Sequence, residues 1–147
     1  MKTVARLAFG LAAVAAFAAP AAAKEWQIKM LNKGADGVMV FEPAFVKAAP
    51  GDTVKFVAVD KGHNAESIAG MAPEGVAPFK GKINEEVVVP LAKPGVYGIK
   101  CTPHLGLGMV ALVQVGKPVN MADAGAGAAK LPGLAKMKMT KLLAQVK

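Results

Sequence analysis

From residue 26 to residue 115 the chain runs in short apolar stretches rich in valine and isoleucine, and glycine, proline or Asx residues interrupt them roughly every 8 to 12 positions. This rhythm predicts strands over 26–31, 37–41, 44–48, 53–59, 85–89, 95–100 and 109–115. Alternation is clearest in the run Val54-Lys55-Phe56-Val57, which puts Val54 and Phe56 on one face. Pro43, Pro50, Pro90, Pro94 and Pro118 fall at the ends of these runs, where a missing backbone donor costs a ladder nothing. Between residues 61 and 82 the periodicity lapses, predicting a long surface loop with one helical turn near Ser67. Beyond Pro118 the composition turns to alanine, lysine, leucine and methionine. Leu131, Leu134, Leu142, Leu143 and Val146 recur at near-helical intervals there. Two short helices broken near Leu131-Pro132-Gly133 are expected to cover one face of a β-sandwich.

The first 23 residues do not fit this pattern. Lys2 and Arg6 precede an apolar run over 7–19 that closes on Ala21-Ala22-Ala23, the form of a cleavable secretory signal. The run is shorter than the roughly 20 residues a spanning helix needs, which argues against a retained anchor. The expected organisation is a signal over 1–23 and one domain over 24–147, divided into a sandwich at 24–117 and a helical tail at 118–147. The signal implies an exported protein, with no membrane insertion and a monomer as the expected state.

Charge narrows the partners. The chain carries 18 Lys and Arg against 10 Asp and Glu, a net +8. Its one arginine leaves with the signal, and the lysines are scattered, so nucleic acid is a poor match. The lysine excess points instead to acidic protein surfaces.

The candidate chemistry sits in the run Cys101-Thr102-Pro103-His104-Leu105-Gly106-Leu107-Gly108-Met109, which holds the only cysteine and one of two histidines. The other is His63. A lone cysteine cannot form an internal disulfide, although an exporting compartment favours them, and metal ligation would protect it. One soft thiolate, one thioether and two imidazoles suit copper, whereas structural zinc prefers several cysteines and calcium or magnesium prefer oxygen. In a trigonal His-Cys-His arrangement with a weak axial methionine, cuprous and cupric copper share one geometry, which favours one-electron transfer. Pro103 stiffens the loop, while Gly106 and Gly108 let it turn. His63 must be brought in by the scaffold.

These motifs resemble the cupredoxins: the Cys-Thr-Pro-His loop, the Gly62-His63-Asn64 turn and the helical tail occur in the family's order along the whole mature chain. The resemblance implies a periplasmic protein with a mainly β, eight-stranded Greek-key sandwich and two C-terminal α-helices, holding one type 1 blue copper ion on His63, Cys101, His104 and Met109. It also implies that Asn64 ties the two ligand loops together near the thiolate, that Met39 packs near the second histidine, and that Pro103 keeps water and a donor from the site. The edge of His104 would be the electron port, with Lys33, Lys61, Lys100 and Lys130 as candidates for a docking ring. Members with such a tail are associated with passing electrons to periplasmic copper nitrite reductase in denitrification.

Two other functions compete on the residues. An enzyme with a second, catalytic copper would need imidazoles beyond the two used here, and nothing near the loop would orient a Cys-His hydrolase pair. A copper storage or delivery protein remains as the alternative, although Met137 and Met139, the closely spaced methionine pair, fit helix packing more simply.

Overall fold

The computed structural model describes residues 22–147. The expected signal over 1–23 lies, apart from its last two residues, outside the described residues.

The strands are β1 (Glu25–Gly34), β2 (Gly37–Glu42), β3 (Phe45–Ala48), β4 (Thr53–Val57), β5 (Glu66–Ser67), β6 (Val87–Pro90), β7 (Gly95–Lys100) and β8 (Val110–Val115). Helices α1 (Met121–Ala129) and α2 (Gly133–Leu143) follow. One sheet has the order β2-β1-β4-β6 and the other β3-β8-β7-β5. The pairs β1–β4 and β3–β8 are parallel, and the remaining pairs are antiparallel. Among the described residues the fold is a mainly β, two-sheet sandwich followed by two C-terminal helices.

Alternation decides which side chains meet between the sheets. Ile28, Met30, Phe41, Val54, Phe56 and Val89 of the first sheet pack against Val46, Tyr97, Ile99, Ala111, Val113 and Val115 of the second. The Phe41 and Phe56 rings meet edge to face at 5.8 Å. Strand β8 is buried at all six positions because it serves two cores. Its Ala111, Val113 and Val115 face the sandwich, while Val110 and Leu112 join Ala124, Ala128, Ala135, Met139 and Leu142 beneath the helices. This double duty is why the strand reads as apolar sequence at every position but Gln114, whose amide donates to Gly116 O and Lys147 O. Helix α1 comes in close at Gly127, where a Cβ would lie 2.6 Å from Met71 Cγ.

Several expectations are corrected. The segment near Ser67 is extended and not helical, because Glu66 and Ser67 pair with Lys100 and Ile99 of β7. Those partners are remote along the chain, so no local periodicity announces the strand. Strand β4 ends at Val57, with Val59 53% exposed beyond it. Pro90, by contrast, falls where expected, as the last residue of the edge strand β6, where its missing N–H harms no ladder. Met109 precedes β8 by one residue and belongs to the loop.

Candidate metal centre

The segment 101–109 is closed by its own backbone. Cys101 N–H donates to Met109 O at 3.0 Å, and Met109 N–H donates to His104 O at 3.2 Å. A 3-10 turn, Leu105–Leu107, fills the interval and ends at Gly108 with φ 78. The left-handed conformation favours glycine, and space requires it too: a Cβ there would lie 3.0 Å from Lys138 Cδ and 3.2 Å from Leu134 O. Helix α2 therefore rests directly on the loop, so the tail buttresses the site as well as covering the sheet.

His63 arrives on the connection between β4 and β5. It is held there by Asn84, whose N–H donates to His63 O at 2.8 Å and whose Oδ1 accepts Gly62 N–H at 2.7 Å. His63 Nδ1 and His104 Nδ1 approach to 3.1 Å, and Cys101 Sγ lies 3.7 Å from the first and 3.6 Å from the second. Among the described residues, these three form the one group of at least three His, Cys, Asp or Glu donors gathered within 4.8 Å. A single first-row metal bound about 2.0–2.3 Å from nitrogen and sulfur spans such gaps. The donor set and its spacing fit copper.

His63, Cys101 and Met109 are fully buried, whereas His104 is half-buried at the surface. Burial pushes His63 below the ordinary imidazole value, and the His104 ring adds to this against a smaller opposing effect of Asp60. The His63 ring can thus present a lone pair. Burial pushes the Cys101 thiol up, opposed by backbone N–H groups of Asn64 and His104, so a metal ion must displace its proton.

Asn64 is 3% exposed and links two segments, accepting Thr102 N–H on Oδ1 at 2.8 Å and donating from Nδ2 to Gly81 O at 3.1 Å. Met39 is half-buried on β2 with φ 50 and packs on the core cluster that contains Cys101 and Met109. Pro103 lies exposed in the loop and offers no N–H. Lys33, Lys61 and Lys130 are exposed. Lys100 is instead engaged with Glu66 at 3.4 Å, and the same carboxylate takes Lys80 at 3.7 Å and the Thr102 hydroxyl at 2.7 Å.

Sequence reasoning missed Asn32. Its Oδ1 lies 2.9 Å from His63 Nε2, and since that oxygen only accepts, Nε2 carries the proton and Nδ1 keeps its lone pair for the metal. Asp60 Oδ2 in turn holds Asn32 N–H at 2.7 Å. A polar residue near the end of a strand gives no signal of this role, because its partner is 31 positions away.

Comparison with known proteins agrees with the fold and with copper as the metal. Residues 28–116 match the family model of copper binding proteins, plastocyanin/azurin family. A pseudoazurin of Paracoccus pantotrophus is 54% identical over 140 residues, covering 95% of this chain and 96% of that protein. The crystal structure of native pseudoazurin from Hyphomicrobium denitrificans is 50% identical with a TM-score of 0.76, covering 84% of this chain and 98% of that one. That of Methylobacterium extorquens AM1 pseudoazurin is 46% identical with a TM-score of 0.78, covering 84% and 99%.

The chain belongs to the plastocyanin/azurin family of copper-binding proteins, the cupredoxins. Within that family its likeness is to the pseudoazurins. It is an electron carrier with a single type 1 copper site and not an enzyme, and it works by meeting redox partners.

Proposed function

We propose that His63, Cys101, His104 and Met109 hold the copper, and that the exported, mature domain 24–147 is a periplasmic monomer passing single electrons to a reductase such as copper nitrite reductase. The observation that carries this reading is the convergence of three donor atoms within 4.8 Å, two of them on fully buried residues and the third on a residue at the surface. Copper supplies a one-electron couple, and the protein's residues set its surroundings. The Asn32 contact fixes the His63 ring, the closed loop fixes Cys101 and His104, and α2 holds Gly108. A centre held this rigidly reorganises little when its charge changes.

His104 is the route to the partner. Around it Pro103 and Gly106 are exposed, and Leu107 is 48% exposed. Leu134, 47% exposed, lies on the helix that packs against the 3-10 turn, adding apolar surface suited to brief contact. Lys33, Lys61 and Lys130, with the net positive group in which Lys80 and Lys100 share Glu66, supply positive charge that steers an acidic partner into encounter. The test is to mix the reduced protein with a periplasmic copper nitrite reductase and nitrite. The expected result is return of the oxidised protein's blue colour at a rate set by reductase concentration. A reduced form that persists through many reductase turnovers supported by another donor would refute this partner.

A further inference from the structure

We propose that Asp52 is the receptor for the α-ammonium group freed when residues 1–23 are removed, so that cleavage itself locks β1 into its sheet. This rests on the export reading.

Asp52 lies in the turn between β3 and β4 and is 7% exposed. Its Oδ2 accepts the Trp26 indole N–H at 2.9 Å and Ala49 N–H at 2.9 Å. Oδ1 accepts one contact, the main-chain N–H of Lys24, at 2.9 Å. No Lys or Arg side chain forms an ion pair with this carboxylate among the described residues. The Lys24 ammonium lies 3.5 Å over the Trp26 ring and forms no ion pair with Asp52, acting on it through space as the least of the effects that favour the carboxylate. A buried carboxylate served only by neutral donors lacks the full positive charge that best offsets its desolvation.

The missing charge arises at the atom already in place. Hydrolysis of the Ala23–Lys24 peptide bond gives the carbonyl carbon a hydroxyl from water and leaves the nitrogen of Lys24 as an amine. At neutral pH that amine takes up a proton. The neutral amide facing Oδ1 thereby becomes a cation without moving, and its extra N–H groups point to solvent, since Lys24 is exposed.

The position gives this contact leverage. Thr53 N–H donates to Lys24 O at 2.9 Å, and the parallel β1–β4 register begins one residue later at Glu25 and Thr53. Asp52 O also accepts Leu91 N–H at 2.9 Å, so three chain segments meet at one residue. Even one residual leader residue would move the charge outward by about 3.8 Å and restore the neutral amide.

The experiment compares copper-loaded protein starting at Lys24 with protein retaining Ala22-Ala23, each with Asp52 and with Asp52→Asn. Urea unfolding is followed by fluorescence of Trp26, the single tryptophan. With Asp52 the Lys24 form should have a folding equilibrium constant about fivefold larger than the extended form, the size of a charge-assisted bond near the surface. In the Asp52→Asn pair that advantage should fall below about twofold, by the same reasoning. All four proteins should keep the same visible absorption. Equal stability of the two Asp52 proteins, or an undiminished advantage in the Asp52→Asn pair, overturns the proposal. If Asp52→Asn does not fold, acetylating the α-amine of the Lys24 form must abolish its advantage, and retention of the advantage overturns the proposal. N-terminal sequencing of the protein purified from its host separates the two readings: an unprocessed start at Met1 refutes the export reading, and a processed start other than Lys24 overturns this proposal, whatever the stability measurements give.

Discussion

Asn64→Ala removes the side chain that joins the ligand loop to the segment before β6. Two hydrogen bonds go at once, the one accepted from Thr102 N–H and the one donated to Gly81 O. Their losses differ in size. Thr102 is exposed, so water replaces the lost acceptor and the net cost is about 0.5–1.5 kcal/mol. Gly81 is buried, and its carbonyl loses this donor where water enters poorly, at about 1–3 kcal/mol. Together they give about 1.5–4.5 kcal/mol, a large fraction of the roughly 5–15 kcal/mol that holds a domain folded. For a domain of this size that corresponds to about 10 °C in thermal midpoint. The assay is urea unfolding of the copper-loaded protein beside Asn64→Asp, which keeps an acceptor for Thr102 while setting a carboxylate against the Gly81 carbonyl. Asn64→Asp should not recover native stability. A loss below about 1 kcal/mol for Asn64→Ala would refute Asn64 as the tie between these segments.

Three further outcomes follow from the same geometry. Asn32→Leu frees the His63 ring and should weaken copper binding about 10- to 100-fold in a chelator competition, as for other groups that orient a ligand; native affinity would refute its orienting role. Met109→Gln should keep copper but lower the reduction potential, because a harder oxygen donor favours cupric copper, and an unchanged or raised potential counts against an axial Met109. Electron transfer to an acidic partner should slow as ionic strength rises, and a flat dependence removes steering by the lysines.

What could be read from the sequence follows from how local each signal is. Strands β7 and β8 are long apolar runs bounded by glycine and proline, and their extents were legible almost to the residue. Strand β5 is two residues long and exists because Glu66 and Ser67 find β7 across the sheet, so nothing near Ser67 in sequence could reveal it. The metal centre was legible because its rare residues leave few alternatives, with one cysteine and two histidines in the whole chain. Asn32 and Glu66 were not, since asparagine and glutamate are common at surfaces and their partners lie 31 and 36 positions away. The tail's amphipathic spacing revealed helices but not that α2 would rest on Gly108, a contact fixed by tertiary packing.

The most direct test of the central claim is copper content together with visible absorption, measured on the native protein and on Cys101→Ser. One copper per chain is expected, with a strong thiolate-to-copper band in the visible that bleaches on reduction, returns on oxidation and is absent from the serine variant. A band that survives Cys101→Ser, or native protein that binds copper without such a band, would contradict a copper centre built on Cys101.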